Sequence, residues 1–179
     1  MTGCKMENSY FAPGQFVIET EYPDWENIKH IMIRSYVETT DYPDRTQNTC
    51  DINNISLGFN DFIIKKLHDN NIPIEEINAI HSWYIDYKPY GYQKVHNHTN
   101  EDSLISTVMY FEESDGSLVT LLGHTNTEVQ HIEINPTPGK LVILNGNVNH
   151  LTYPSANKRS VLVINFKARW KDDLTNEKV

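Results

Sequence analysis

Cysteine is scarce in this chain. Cys4 and Cys50 are the two present among 179 residues, too few for a disulfide framework. No apolar run approaches the ~18 residues that a membrane span needs. The first ten residues, MTGCKMENSY, lack the apolar stretch of a secretory signal, so the expected compartment is the cytoplasm. Basic residues are also in short supply. Fifteen Lys and Arg against 24 Asp and Glu leave a net charge of −9, which argues against nucleic-acid binding driven by phosphate contacts. The imbalance is concentrated early, with six basic and thirteen acidic side chains in residues 1–80. What remains, 39% hydrophobic and 22% charged residues, is ordinary globular composition. A chain of this length is expected to form a single domain over 1–179 that buries its core without staples.

The periodicity changes near Ile80. Before it the pattern reads as helical. Pro23-Asp24 opens a segment with Trp25, Ile28, Met32 and Tyr36 near helical spacing, closed by Thr39, Thr40, Asp41 and Pro43. A second helix is expected from about Ser56 to Asn70, with Phe59, Phe62, Ile63 and Leu67 on one face and Asn70-Asn71 as its stop. A short third helix is expected from Pro73 to Ile80. After Ile80 about eight short strands follow: 81–87, 92–98, 104–111, 117–122, 128–134, 140–144, 149–153 and 159–168. Many short strands between turn signals mean a sandwich or barrel, with the helices packed against it. The chain is thus expected to be mainly β with N-terminal helices, divided as 1–80, 81–168 and a 169–179 tail.

Eight histidines are present, and most call for no special role. His30 and His68 read as helix-surface residues, and His81, His124 and His131 as strand or loop residues. His96 and His98 differ. Residues i and i+2 of a strand point to one face, so this pair aims two imidazoles at one spot. Neutral imidazole suits iron, zinc, copper or nickel. His150, after the turn Asn145-Gly146-Asn147, is the candidate third ligand. Arg159 opens the apolar run Val161–Ile164, with no acidic residue anywhere from Lys140 to Lys171. A guanidinium there needs an anion, and a carboxylate held by two parallel hydrogen bonds is the natural partner. The hairpin between them is expected to set Arg159 on the strand beside His150, facing the same cavity.

These residues resemble the iron(II)/2-oxoglutarate-dependent oxygenases, in particular a prolyl-hydroxylase-like group of small bacterial and phage proteins. Three stretches carry the likeness: Trp83-Tyr84 to Gly91 and then His96-Asn97-His98; Ile105–Phe111; and Pro138-Gly139-Lys140-Leu141-Val142-Ile143-Leu144 with His150–Pro154, Arg159 and Asn165-Phe166. Together they span 81–167, about half the chain. The departures are His98 where most members carry Asp, Val161 where Ser is frequent, and Thr107 in place of a Gly. The resemblance implies a double-stranded β-helix (jelly roll) with His96, His98 and His150 holding Fe²⁺. It implies 2-oxoglutarate as cosubstrate, its distal carboxylate on Arg159, and O₂ as co-reactant. Tyr84, Tyr92, Ser106 and Tyr110 become candidates to hydrogen-bond the cosubstrate. The reaction implied is hydroxylation of an amino acid, peptide or small metabolite, with decarboxylation of 2-oxoglutarate to succinate. A homodimer is compatible with the helical first part.

Two other readings stay open on the residues alone. A cupin-type metal protein, with Glu101 joining the histidines, would work as a dioxygenase or isomerase without 2-oxoglutarate. A β-sandwich binding module would carry the histidines incidentally, and they would not converge.

Overall fold

The computed structural model describes residues 7–55, 57–98, 104–123 and 129–171. Its strands are β1 (Asn8–Ala12), β2 (Gln15–Glu21), β3 (Tyr36–Asp41), β4 (Arg45–Cys50), β5 (Ile74–Tyr87), β6 (Gln93–His96), β7 (Leu104–Tyr110), β8 (Leu118–Leu122), β9 (Gln130–Ile134), β10 (Lys140–Asn145), β11 (Asn149–Thr152) and β12 (Arg159–Trp170). Helices α1 (Trp25–Ile33) and α2 (Leu57–Asp69) interrupt them. All pairings are antiparallel. An eight-stranded sheet in the order β1-β2-β10-β7-β12-β5-β4-β3 faces a four-stranded sheet in the order β6-β11-β8-β9. This is the expected jelly roll.

The large sheet is covered on both faces, and alternation sorts its side chains between two cores. On the helix side, Ile18, Leu141, Ile143, Ile105, Met109, Leu162, Ile164 and Phe166 pack with Ile28 and Met32 of α1 and Phe59, Ile63 and Leu67 of α2. Toward the small sheet, Val17, Val142, Leu144, Val108, Tyr110, Val161, Ile85 and Tyr87 meet Leu118, Leu122, Ile132 and Ile134. The central strands β10 and β12 therefore read as near-continuous apolar runs. Truncating one such fully buried Leu, Ile or Met to Ala costs about 2–5 kcal/mol.

Helix α2 matches its sequence pattern. Phe59, Ile63 and Leu67, four residues apart, are fully buried, and Phe62 meets Tyr22 edge-on at 5.1 Å. The stop is also where expected: Asn71 takes a left-handed φ of 59°, and Ile72 N donates to Leu67 O. Helix α1 begins as read but ends at Ile33, because Tyr36–Asp41 is a strand.

The helical reading of 1–80 is corrected in three places. β1 and β2 were not foreseen, since the apolar run Phe16–Ile18 is buried on both faces and has no period to read. β3 and β4 form a polar hairpin along the sheet edge whose strand character rests on pairing with β5. The expected helix 73–80 is the start of β5. There the register against β12 slips twice, Asn165 facing His81 while Phe166 faces Ala79, and Arg169 facing Glu76 while Trp170 faces Ile74. Glu75 and Ile80 are the extra residues of these two bulges. The first puts Ile74 and Ile77 on one side, three apart, and so imitates a helical stripe.

The Pro138-Gly139 turn joins these layers. Gly139 has φ 80°, donates to Tyr110 O and accepts from Tyr22 N. A Cβ there would lie 2.5 Å from Trp25 Cδ1. Gly139→Ala is expected to destabilise the protein by about 1–3 kcal/mol through the left-handed backbone alone. Chemical denaturation reads this as a lower midpoint at unchanged slope.

Candidate metal centre

His96 and His150 are direct cross-strand partners on β6 and β11, their ring centroids 4.2 Å apart. His98, just beyond β6, is pinned by its N–H to Gly146 O at 2.7 Å, and its ring lies 5.4 Å from His96 and 5.3 Å from His150. One nitrogen from each of the three falls within 4.8 Å of the others. The convergence runs against the incidental-histidine reading. Glu101, on which the cupin reading leaned, lies outside the described residues.

The ring hydrogen bonds set the tautomers. His96 Nδ1 sits 2.9 Å from Lys94 O, and His150 Nδ1 sits 3.0 Å from Val148 O. A carbonyl only accepts, so each Nδ1 carries the proton and each Nε2 offers a lone pair. His98 Nδ1 lies 3.3 Å from the Asn165 amide on β12, and Asn165 Oδ1 accepts from Ser106 Oγ at 2.8 Å. Such outer partners fix the orientation of ligating rings. Burial, then the neighbouring His96, push the His150 imidazole down to about 3, so it stays neutral and able to coordinate.

Arg159 is placed otherwise than expected. It opens β12 in the large sheet, between β5 and β7, whereas His150 belongs to the small sheet. The residue is 2% exposed. Nη1 donates to Gly116 O at 2.7 Å, Nη2 to Gly91 O at 3.4 Å, and the group lies 4.5 Å over the Tyr87 ring. Gly116 leaves no room for a Cβ, since Arg159 Nη1 fills that space. Among the described residues no carboxylate forms an ion pair with Arg159. Burial lowers its pKa, while Tyr87 and Tyr110 oppose that shift.

A cavity of about 150 Å³ holds the three histidines. Its walls include Trp83, Ile85, Val108, Leu118, Val161 and Val163, with Tyr87 and Tyr110 on the Arg159 side. Tyr110 lines this cavity, and its hydroxyl is buried without a partner. Burial pushes that phenol up and Arg159 opposes the shift. Ser106 shares the inward face of β7 but acts behind His98 through Asn165. Tyr84 is a correction. Alternation along β5 turns it to the helix side, where it stacks on Phe111 at 5.5 Å. Tyr92 is exposed and borders a separate outer hollow with Arg45 and Lys94.

Sequence reading missed Asn165, Gln93, Thr120 and Tyr87. Asn165 was quoted only as part of a motif, although its even spacing from Arg159 on one strand marked it as inward-facing. Thr120 faces His150 across β8 and β11, and its Oγ1 is buried without a partner. With Tyr110 Oη and Arg159 Nε, it makes three orphaned polar atoms in this part of the molecule. Each costs about 1–3 kcal/mol unless an acceptor meets it. That donor set fits an oxygen-rich anion, and the facing lone pairs fit a cation. Of the remaining histidines, His68 Nε2 meets Ile74 O, His30 Nδ1 meets Glu26 O, His81 stacks on Trp83, and His131 is exposed on β9. His124 and Cys4 lie outside the described residues, and no described helix is long and apolar enough to cross a membrane.

No protein-family model matches the sequence, and no curated protein matches it either. Solved structures do. An oxidoreductase of the 2OG-Fe(II) oxygenase family from Burkholderia pseudomallei is 14% identical, over 83% of this chain and 84% of that one, with a TM-score of 0.59. HygX from Streptomyces hygroscopicus, solved with nickel, 2-oxoglutarate and hygromycin B, is 13% identical over 86% and 82%, with a TM-score of 0.61. The viral collagen prolyl hydroxylase vCPH from Paramecium bursaria Chlorella virus-1, solved with 2-oxoglutarate, is 14% identical over 87% and 96%, with a TM-score of 0.56. The chain shares the jelly-roll fold of these 2-oxoglutarate and iron(II) oxygenases.

Proposed function

We propose that this chain is an Fe(II)- and 2-oxoglutarate-dependent dioxygenase that hydroxylates an amino acid, peptide or small metabolite. The observation that carries the reading is the pairing of two complementary sets inside one barrel. The imidazoles of His96 and His150, each with its Nδ1 held by a backbone carbonyl, converge with that of His98, and the orphaned Tyr110 hydroxyl lines the same cavity. Fold neighbours solved with 2-oxoglutarate, one of them also with nickel, supply the ligand chemistry to test.

His96, His98 and His150 would hold the iron. Bound there with 2-oxoglutarate and O₂, it supplies the oxidising chemistry, in which the keto acid leaves as succinate and CO₂ while a substrate C–H becomes C–OH. The chain's own residues bind and orient. Lys94 O and Val148 O keep the ligating rings in register. Arg159, held by Gly116 O and Gly91 O, offers charge and its remaining N–H toward a distal carboxylate, beside Tyr110 Oη. The walls Ile85, Val108, Leu118 and Val161 keep water from the reacting centre.

His150→Ala is expected to weaken Mn²⁺ or Co²⁺ binding at least about 100-fold, the upper end of what removing an outer-shell partner costs. Equilibrium metal titration checks it, and unchanged stoichiometry and affinity would dismiss the site. Arg159→Ala should leave the metal site intact and cost about 2–5 kcal/mol of 2-oxoglutarate affinity. Arg159→Lys should fall between, since it keeps the charge and loses the fork. Calorimetric titration of 2-oxoglutarate into Mn²⁺-loaded protein reads both. Equal affinities would make Arg159 structural, and no binding to the wild type would favour a cupin-like enzyme working without a keto acid.

A further inference from the structure

We propose that Gln93 is a positioning residue of the metal centre. Its amide N–H covers the metal-binding nitrogen of His96 until a cation arrives, and then donates to an oxygen ligand on that cation. This rests on the functional reading above.

The first argument is placement. Three residues along a regular strand separate opposite faces, so Gln93 and His96 should not meet. β6 is not regular. His150 faces His96 and Thr152 faces Gln93, so three steps on β6 match two on β11. The extra residue is a bulge, which turns Gln93 onto the inward side with His96. Gln93 N donates to Thr152 Oγ1 at 2.8 Å and locks that arrangement. Both side chains line the histidine cavity.

The second argument fixes the amide's orientation. Gln93 Oε1 accepts from Tyr87 Oη at 2.9 Å, and Gln93 Nε2 lies 3.3 Å from His96 Nε2. His96 Nδ1 is committed as donor to Lys94 O, so its Nε2 is an acceptor and must face an N–H. One lone pair serves one partner. A cation on His96 Nε2 evicts the Gln93 N–H, while Tyr87 still holds the other end of the amide. The freed donor then sits beside the cation, where the acceptors within reach are oxygens bound to it. A keto-acid carboxylate is such an acceptor. Tyr87 also carries the Arg159 guanidinium over its ring, so one chain of contacts joins the anion anchor to a metal ligand.

The role has a signature of opposite signs. Gln93→Leu removes a competitor for His96 and also a donor to the bound oxygen ligand. Mn²⁺ titrated alone should bind no more weakly than in the wild type, and up to about tenfold more tightly, the equivalent of one hydrogen bond. 2-Oxoglutarate titrated into the Mn²⁺-loaded variant should bind about three- to tenfold more weakly. Gln93→Glu, nearly isosteric and retaining the Tyr87 contact, delivers a carboxylate to the same place. It should bind Mn²⁺ at least about tenfold more tightly and change the visible spectrum of bound Co²⁺. Parallel weakening of metal and 2-oxoglutarate in Gln93→Leu, unchanged 2-oxoglutarate affinity, or an unchanged Co²⁺ spectrum in Gln93→Glu overturns the role of Gln93 alone. A wild type that takes up neither Mn²⁺ nor 2-oxoglutarate overturns it together with the functional reading.

Discussion

Burial of the central strands of the large sheet on both faces is the constraint from which the rest of the molecule follows. β12 lies between β7 and β5, and its alternation sends Leu162, Ile164 and Phe166 to the helices and Arg159, Val161, Val163 and Asn165 inward. One strand thus carries both the buried Arg159, against the Tyr87 ring, and Asn165, the partner of His98. A slip of one residue would move both to the helix side and put Phe166 among the histidines. The apolar packing on the outer face holds the register and thereby the site.

The small sheet contributes in a different way. Its pairing of β6 with β11 sets His96 opposite His150, and the bulge in β6 adds Gln93 to the same surface. Regular pairing alone would yield two facing imidazoles and little else. The irregularity also frees Lys94 O to hold the His96 ring. Bulges beside a site re-aim side chains in this manner at small cost to pairing.

The electrostatics of the interior are complementary to the proposed ligands. Imidazole ligands bring no negative charge to a divalent cation, and the Arg159 guanidinium adds a positive one. On the proposed reading a dicarboxylate balances both, which ties cosubstrate affinity to the metal and to Arg159 together. Among the described residues no carboxylate lines this cavity, although the chain as a whole carries a net charge of −9.

Much of the site was legible from local pattern. The i, i+2 histidines, the distal His150 and the lone Arg159 before an apolar strand needed only strand geometry and the cost of an unpaired charge. The stripe of α2 and its Asn71 stop were equally local. Other features depended on pairing partners far along the chain. β2 is a strand because β10 and β1 flank it; β3 and β4, polar and at an edge, are strands because β5 supplies the ladder. The two bulges in β5 broke the period on which sequence reading relies, and the one at Glu75 set Ile74 and Ile77 three apart like a helical stripe. Facing decided the rest. Tyr84 and Tyr110 are alike as residues, yet position parity on their strands sends one to Phe111 and the other to the cavity. Residue chemistry and short-range spacing thus sufficed to name the three histidines that converge, whereas register, set by burial on both faces of the central strands, decided which side chains meet them.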